Sequence, residues 1–251
     1  MAKGKKEKKG EIRPVKVVLR RNGRGVIYYG NGDRYTGEVK NGLKEGRGVM
    51  NFADGDIYVG DWKNDKMDGK GIIYYDNGSK YEGDFKNGKG EGKGIMYWDN
   101  GDVYEGDWKN NLKDGKGKMY WHDGDIYEGN FKNGKREGKG IYYYDNGNRY
   151  EGDWKNGDRE GKGIFYWAGG DRYEGDWKND SKEGKGTMNW NDGERYEGDH
   201  KNDLREGKGI YYYNNGDIFV GNFVRGEAVL GKLYSADGDI QSIDIYANFV
   251  F

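Results

Sequence analysis

Residues 127–149 read YEGNFKNGKREGKGIYYYDNGNR. Five of these 23 residues are glycine and five are aromatic. Glycine at this density fits a phosphate-cradling loop or a linker, whereas rings at this density fit a packed core. The order of the residues decides. Tyr127, Gly129 and Phe131 alternate with Glu128, Asn130 and Lys132, and Gly138, Gly140, Tyr142 and Tyr144 alternate with Lys139, Ile141 and Tyr143. A period of two marks β-strands. Asn-Gly-Lys-Arg separates the two runs as a loop, and Asp145-Asn146-Gly147 follows the second. Such pairs tolerate φ > 0 and signal hairpins. The stretch therefore reads as one β-hairpin with a tight turn leading out of it.

The same brick recurs along the chain. Tyr-x-Gly returns at Tyr35, Tyr58, Tyr81, Tyr104, Tyr127, Tyr150, Tyr173 and Tyr196, and Phe219 continues the series, always 23 residues apart. A degenerate unit with Gly23, Gly25 and Asn31-Gly32 precedes them. The last unit lacks one residue, assigned to a loop because Gly238 falls one place early. The expected fold is all-β, an elongated single-layer antiparallel meander of stacked hairpins. At ~4.8 Å per strand, some twenty strands would make a rod or trough of roughly 90–100 Å. The expected organisation is a basic, flexible tail over 1–11, the array over 12–241 and a capping or edge strand over 242–251. Within the array a partial repeat fills 12–34, and full repeats start at 35, 58, 81, 104, 127, 150, 173, 196 and 219.

Charge suggests a register. With Tyr127 opposite Tyr142, Asn130 faces Lys139 and Lys132 faces Glu137. The same alignment pairs Asp153 with Lys162, Lys155 with Glu160, Asp61 with Lys70 and Lys63 with Asp68. If Asp-Asn-Gly is a three-residue loop with glycine in the left-handed region, each first strand meets the preceding second strand in that alignment too. Opposite-charge pairs contribute only about 0.2–1 kcal/mol each, but they all favour one register. It gathers Tyr127, Phe131, Tyr142, Tyr144 and the strand glycines on one face, with Phe131 laid over Gly138. Lys, Glu, Ile141 and Tyr143 take the other.

Composition narrows the function classes. Aromatics reach 16% and the 43 basic residues nearly cancel the 44 acidic ones, so the chain is folded in spite of its low hydrophobic content of 33%. A net charge of −1 offers no bulk attraction to nucleic acid or to an anionic membrane. There is no cysteine for a disulfide or a thiolate, and no apolar run of membrane-spanning length. The expected setting is soluble and intracellular. Gly-Lys-Gly is not a phosphate loop, which needs G-x-x-x-x-G-K before Ser or Thr and a helix after it. Asp99, Asp102 and Glu105 lack the spacing of a calcium loop and read as solvated charges beside a turn. His122 and His200 are the only histidines, with no nucleophile in view. No catalytic residue, metal or cofactor is expected.

Tyr-Glu-Gly-Asp-Trp-Lys-Asn-Gly, followed by Glu-Gly-Lys-Gly and Asp-Asn-Gly, resembles the membrane occupation and recognition nexus (MORN) repeat, over residues 23 to 240. That resemblance implies stacked β-hairpins. It also implies company with cytoskeletal and ciliary scaffolds, radial-spoke head components, membrane-tethering proteins and the accessory repeats of lipid kinases. Departures from the pattern are Val39 and His200 at the Trp/Phe place, Lys118 and Thr187 after Gly-Lys-Gly, and Asn51 and Asn189 at the next Tyr place.

Two surfaces stand out. The aromatic stripe Phe52, Tyr75, Trp98, Trp121, Tyr144, Trp167, Trp190 and Tyr213 is the expected partner groove. The terminal segment with Ile240, Ile243, Ile245, Tyr246, Phe249 and Val250 is the expected edge-strand interface, for a partner or a homodimer. These point to a non-enzymatic scaffold for protein–protein assembly in a cytoskeletal or ciliary complex such as an axonemal radial-spoke head. The alternative is a peripheral module binding membrane phospholipid, a phosphoinositide, through Lys3, Lys5, Lys6, Lys8 and Lys9. A regulatory subunit of a lipid kinase is a further reading.

Overall fold

The computed structural model describes residues 22–244. Their twenty strands divide into two units, with the boundary between Asn111 and Leu112. The first unit holds β1 (Gly23–Tyr28), β2 (Arg34–Lys40), β3 (Leu43–Asn51), β4 (Ile57–Lys63), β5 (Lys66–Tyr74), β6 (Lys80–Lys86), β7 (Lys89–Tyr97) and β8 (Val103–Lys109). The second holds β9 (Leu112–Tyr120), β10 (Ile126–Lys132), β11 (Lys135–Tyr143), β12 (Arg149–Lys155), β13 (Asp158–Tyr166) and β14 (Arg172–Lys178). It continues with β15 (Ser181–Asn189), β16 (Arg195–Lys201), β17 (Leu204–Tyr212), β18 (Ile218–Val224), β19 (Glu227–Tyr234) and β20 (Ile240–Asp244). Within each unit every strand pairs antiparallel with the next, so the fold is the expected meander of hairpins. The boundary falls inside the repeat that starts at 104, a division the 23-residue pattern does not announce. The expected tail over 1–11 and residues 12–21 lie outside the described residues, as do Ile245, Tyr246, Phe249 and Val250.

Two turns make the brick. Asn156 and Gly157 have φ of 53° and 103° between the paired Lys155 and Asp158, a two-residue turn whose twist matches the flanking strands. Asp180 and Asp203 stand at the second turn position with φ of 65° and 68°. Each carboxylate then accepts the backbone N–H of the preceding hairpin, Arg159 and Lys182 respectively, at 2.9 Å. The outgoing turn is the expected three-residue loop. Tyr144 N–H donates to the Asn148 carbonyl at 2.9 Å, Gly147 N–H to the Tyr144 carbonyl at 3.0 Å, and Gly147 has φ of 85°.

The register holds between hairpins and changes within them. Between β11 and β12, Tyr142 meets Tyr150, Gly140 meets Gly152 and Lys139 meets Asp153, as expected. Inside the β12–β13 hairpin, Tyr150 meets Phe165 and Gly152 meets Gly163, but Trp154 meets Arg159 and Lys155 meets Asp158. Glu160, Gly161 and Lys162 bulge opposite Asp153 alone, with Gly161 at φ of 67°. The expected facing of Lys155 with Glu160, Lys63 with Asp68 and Lys132 with Glu137 is thereby corrected. So is Phe131 over Gly138: Phe131 faces Arg136, and Gly138 faces Trp154 of the next hairpin. The physical reason is that Asn-Gly closes a two-residue turn, so a nine-residue second strand must shed its excess over a seven-residue first strand.

Carboxylates fasten the bulge. Asp153 Oδ2 accepts the Lys162 backbone N–H at 3.1 Å, while Oδ1 takes the Lys139 ammonium of the preceding hairpin at 2.7 Å. Glu160 accepts the Asn179 N–H at the next turn, and Glu137 the Asn156 N–H, at 3.1 and 3.0 Å. Acids assigned to cross-strand lysines in sequence are thus used on backbone amides. Exposed ion pairs contribute little, whereas a hydrogen bond to a charged acceptor contributes more.

Rings over glycines form the core. Tyr150 is fully buried, and a Cβ on Gly163 would sit 2.2 Å from its hydroxyl. The ring thus lies on the Gly152–Gly163 pair, and its hydroxyl donates to the Asp153 carbonyl in the bulge at 3.1 Å. Trp154 stands edge-on between Tyr127 and Tyr150 at 5.3 and 5.1 Å, and its indole N–H reaches the Gly140 carbonyl at 3.1 Å. The last hairpin departs from this plan. Phe219 has no hydroxyl, β19 has eight residues, and Asn222 pairs with Leu230 before a one-residue shift. The missing residue therefore lies in the bulge and not in a loop.

Candidate partner-binding face

Every expected groove ring occupies one local position, the first residue after a second strand. Its N–H closes the loop: Trp121 donates to Asp125, Trp167 to Asp171 and Tyr213 to Asp217, at 2.9–3.0 Å. All eight rings are half-buried. In the first unit, Phe52 and Tyr75 pack with Ile73 and Met96 against the buried Tyr35, Tyr58 and Tyr81. In the second unit the rings join into files. Trp121, Tyr142, Tyr144, Phe165 and Trp167 follow one another with centroids 4.5–5.7 Å apart. Trp190, Tyr211 and Tyr213 form a second file at 5.4 and 4.6 Å. Tyr142, Phe165 and Tyr211 complete these files, and none belongs to the expected groove.

A column of cations runs beside them. Lys113, Arg136, Arg159, Lys182 and Arg205 recur at the 23-residue period. Arg136 lies 4.3 Å over Trp154 and donates to the Gly157 carbonyl at 2.6 Å. Arg159 lies 4.3 Å over Trp177 and pairs with Asp180 at 3.1 Å. Arg205 lies 4.9 Å over Tyr211. Burial among these rings depresses the Lys182 ammonium, with Asp203 opposing the shift. The sequence reading put Lys135-Arg136 in a loop, and so missed the column. The signal was available as a basic residue two places before Gly-Lys-Gly in consecutive repeats.

Carboxylates complete the face. The Tyr142 hydroxyl donates to Asp125 at 2.5 Å, and Asp125 also accepts the Asp145 N–H at 2.8 Å. Tyr211 donates to Glu194, and burial together with this carboxylate pushes its phenol up to about 12. Among the described residues, no three His, Cys, Asp or Glu side chains gather closely enough to hold a metal ion.

On the opposite face, Tyr74 and Tyr143 are exposed, and Arg149 and Arg195 stack on Tyr166 and Tyr212 at 4.2 and 4.0 Å. Lys139, Lys162 and Lys185 are each bound to an aspartate of the next hairpin at 2.6–2.7 Å. Of the expected edge interface, the described residues include Ile240, 64% exposed, and the half-buried Ile243, both in β20. His200 fills the Trp place of the ladder, edge-on to Tyr173 and Tyr196 at 5.0 and 5.1 Å.

Solved structures offer distant likenesses. The TCP10 domain of Danio rerio CPAP in complex with a STIL peptide is 12% identical, with a TM-score of 0.49 over 92% of this chain and 98% of that one. The SAS-4 (dCPAP) TCP domain of Drosophila melanogaster in complex with a proline-rich motif of Ana2 is 16% identical, with a TM-score of 0.40 over 69% and 89%. A virginiamycin B lyase from Staphylococcus aureus scores 0.17 at 12% identity over 93% and 73%. At such scores nothing about partners or activity transfers to this chain. No curated protein sequence matches it significantly. The model of the MORN repeat matches residues 20–34 and then every 23-residue segment from 35–57 to 196–218, with 219–240 last. With Tyr-x-Gly opening eight successive periods, Phe219-x-Gly the next, and antiparallel hairpins recurring at that period, the chain belongs to the MORN repeat family.

Proposed function

We propose that the chain is a non-enzymatic scaffold whose ring face, over residues 112–244, holds an extended segment of a partner protein. The observation that carries this reading is the alternation of rings with stacked cations on one face, repeated from Lys113 to Arg205 at the 23-residue period. Contiguous apolar surface left partly exposed marks interaction sites. A guanidinium already held on an indole presents donors to a carboxylate with little further ordering. The partner segment therefore combines acidic residues with apolar or aromatic ones.

The test is purification of the endogenous protein with its partners, beside two variants. Tyr144→Ala with Trp167→Ala removes the partner, while Tyr143→Ala with Tyr166→Ala on the opposite face retains it. The reverse pattern overturns the proposal. The proposed setting is a cytoskeletal assembly, in particular a ciliary axoneme and its radial-spoke heads. Its support is the likeness to repeat scaffolds, and a tagged chain that stays away from the axoneme of a ciliated cell removes it. Phosphoinositide binding makes a separate forecast: vesicles carrying the lipid would sediment the chain, and removal of residues 1–11 would abolish this.

The exposure of Ile240 at the end strand favours a second contact, by strand addition at β20 to a partner or another copy. Deletion of residues 240–251 that leaves mass and partner content unchanged overturns it.

A further inference from the structure

The ring face of the second unit has a fixed interval. Trp121, Tyr144, Trp167, Trp190 and Tyr213 stand 23 residues apart, one to each hairpin. Two strands at ~4.8 Å each separate successive members, a rise of about 9.6 Å. The ring contacts bound the same interval from above. Trp121 reaches Tyr144 through Tyr142 in steps of 5.3 and 4.5 Å, and Tyr144 reaches Trp167 through Phe165 in steps of 5.7 and 4.5 Å. The cations keep step with the rings. Arg136 lies 5.1 Å from the centre of Tyr142, Arg159 5.4 Å from Phe165, Lys182 5.7 Å from Trp167 and Arg205 4.9 Å from Tyr211. Arg159 is held by Asp180, whereas Arg136, Lys182 and Arg205 form no ion pair. All four are half-buried.

A segment laid along these rows crosses the strands, and must return a side chain to the same face about every 9.6 Å. A β-strand returns every ~6.6 Å, so its third residue reaches the right distance but points away. An α-helix returns at the seventh residue, ~10.5 Å on, and slips by ~3.6 Å between the first ring and the fifth. A polyproline II helix returns every third residue, ~9.3 Å on, and slips by only ~1.2 Å over the same span. It alone keeps register with five hairpins. Its three rows of side chains let one row meet the rings and a neighbouring row meet the cations. Its carbonyls have no internal partner, and guanidinium groups offer several donors.

We infer that the occupant of the ring face is a polyproline II segment of a partner protein, with proline on the rings at every third position and a carboxylate beside it on the unpaired cations. That occupant rests on the groove reading proposed above, to which it adds a conformation and a repeat. Proline fixes φ in advance and so lowers the ordering cost of binding.

The experiment titrates the full chain with synthetic peptides at physiological salt, by calorimetry and by tryptophan fluorescence. Five Pro-Pro-Glu triplets should saturate one site. A peptide of the same composition, with its glutamates gathered at one end, should bind about tenfold more weakly, a loss of ~1.4 kcal/mol. Five Pro-Pro-Lys triplets should not bind. Affinity should rise with each triplet up to five and gain nothing from a sixth. Arg136→Gln with Arg205→Gln, and separately Tyr144→Ala with Trp167→Ala, should each weaken the five-triplet peptide at least tenfold. Tyr143→Ala with Tyr166→Ala, on the opposite face, should leave it unchanged.

No binding of the Pro-Pro-Glu peptide overturns the inference, as does equal binding of the gathered-glutamate or the lysine peptide. These comparisons use the unaltered chain, so they decide whether or not a variant folds. Undiminished binding in both ring-face variants places the peptide elsewhere and overturns it too. Loss of the cellular partner from the Tyr144 and Trp167 variant, with no peptide binding to the unaltered chain, leaves the groove reading standing and removes this one.

Discussion

Removing a single hydroxyl tests the central claim about how the bulge is held. In the hairpins that carry Tyr-x-Gly, a buried phenol donates to the carbonyl three residues on: Tyr58 to Asp61 at 2.9 Å, Tyr127 to Asn130 at 3.0 Å and Tyr150 to Asp153 at 3.1 Å. The Asp153 carbonyl belongs to the residue that the bulge leaves without a ladder partner in its own hairpin. Tyr150→Phe keeps the ring over Gly152 and Gly163 and deletes only the donor. A buried acceptor left unmet costs about 1–3 kcal/mol, whereas a surface substitution stays within about 0.5 kcal/mol.

The internal control is Phe219, where the hydroxyl is absent, the bulge is one residue narrower and Asn222 keeps a ladder partner. Phe219→Tyr therefore introduces a buried hydroxyl with no bulge carbonyl to meet it, and should destabilise by about 1–3 kcal/mol instead of stabilising. Because hairpins in an array unfold by neighbour-coupled steps, denaturation midpoints are read together with native-state exchange of the Lys162 amide, which lies in the bulge. Tyr166→Phe on the opposite face sets the baseline. A cost for Tyr150→Phe no larger than that of Tyr166→Phe, or a gain in stability for Phe219→Tyr, would refute the reasoning.

Three further outcomes are expected. Gly163→Ala places a methyl 2.2 Å from the Tyr150 hydroxyl and 2.5 Å from its ring, forcing the ring off the sheet. The expected loss is about 3 kcal/mol with reduced near-ultraviolet dichroism, and a cost under about 1 kcal/mol counts against close packing. Asp153→Ala removes the acceptor of the Lys162 amide and should cost about 1–2 kcal/mol even in high salt, whereas Lys139→Ala, at a 73% exposed lysine, should cost under about 0.5 kcal/mol. Equal losses, both screened by salt, would make the pair a simple ion bridge.

The third outcome concerns pH. Burial first, then Lys182 and Arg205, lowers the His200 pKa to about 4 from 6.5, against Asp199 and the Gly198 carbonyl. Between those values the unfolded chain binds a proton that the folded chain refuses. Stability is therefore complete above pH 6.5 and falls as pH drops toward 4, by up to about 3 kcal/mol. His200→Phe should flatten this window, and an unchanged slope would show that His200 titrates normally.

Much of the brick is written locally. Alternation at Tyr127, Gly129 and Phe131 places rings and glycines on one face because strand side chains alternate by geometry. Asn133-Gly134 and Asp145-Asn146-Gly147 mark turns because few residues accept φ > 0. The common position of the eight rings, Phe52 through Tyr213, was legible because each follows a second strand at a constant offset. What misled was a register argued from ion pairs, which are weak and exposed. It spread Asn133-Gly134-Lys135-Arg136 into a loop and hid Arg136, Arg159, Lys182 and Arg205 from the ring face.

The sequence by itself determined the strands, their turns, the 23-residue period and the side of the sheet on which each ring lies, since these follow from backbone preferences within a few residues. Only the tertiary structure decided the bulge at Glu160–Gly161–Lys162, the use of Asp153 and Glu160 on backbone amides and the cations stacked on the next hairpin's tryptophans. Those features depend on which unmet amide, carbonyl or ring edge a neighbouring hairpin presents. The partners lie about 9–21 residues apart in the chain, a reach that local preference does not encode.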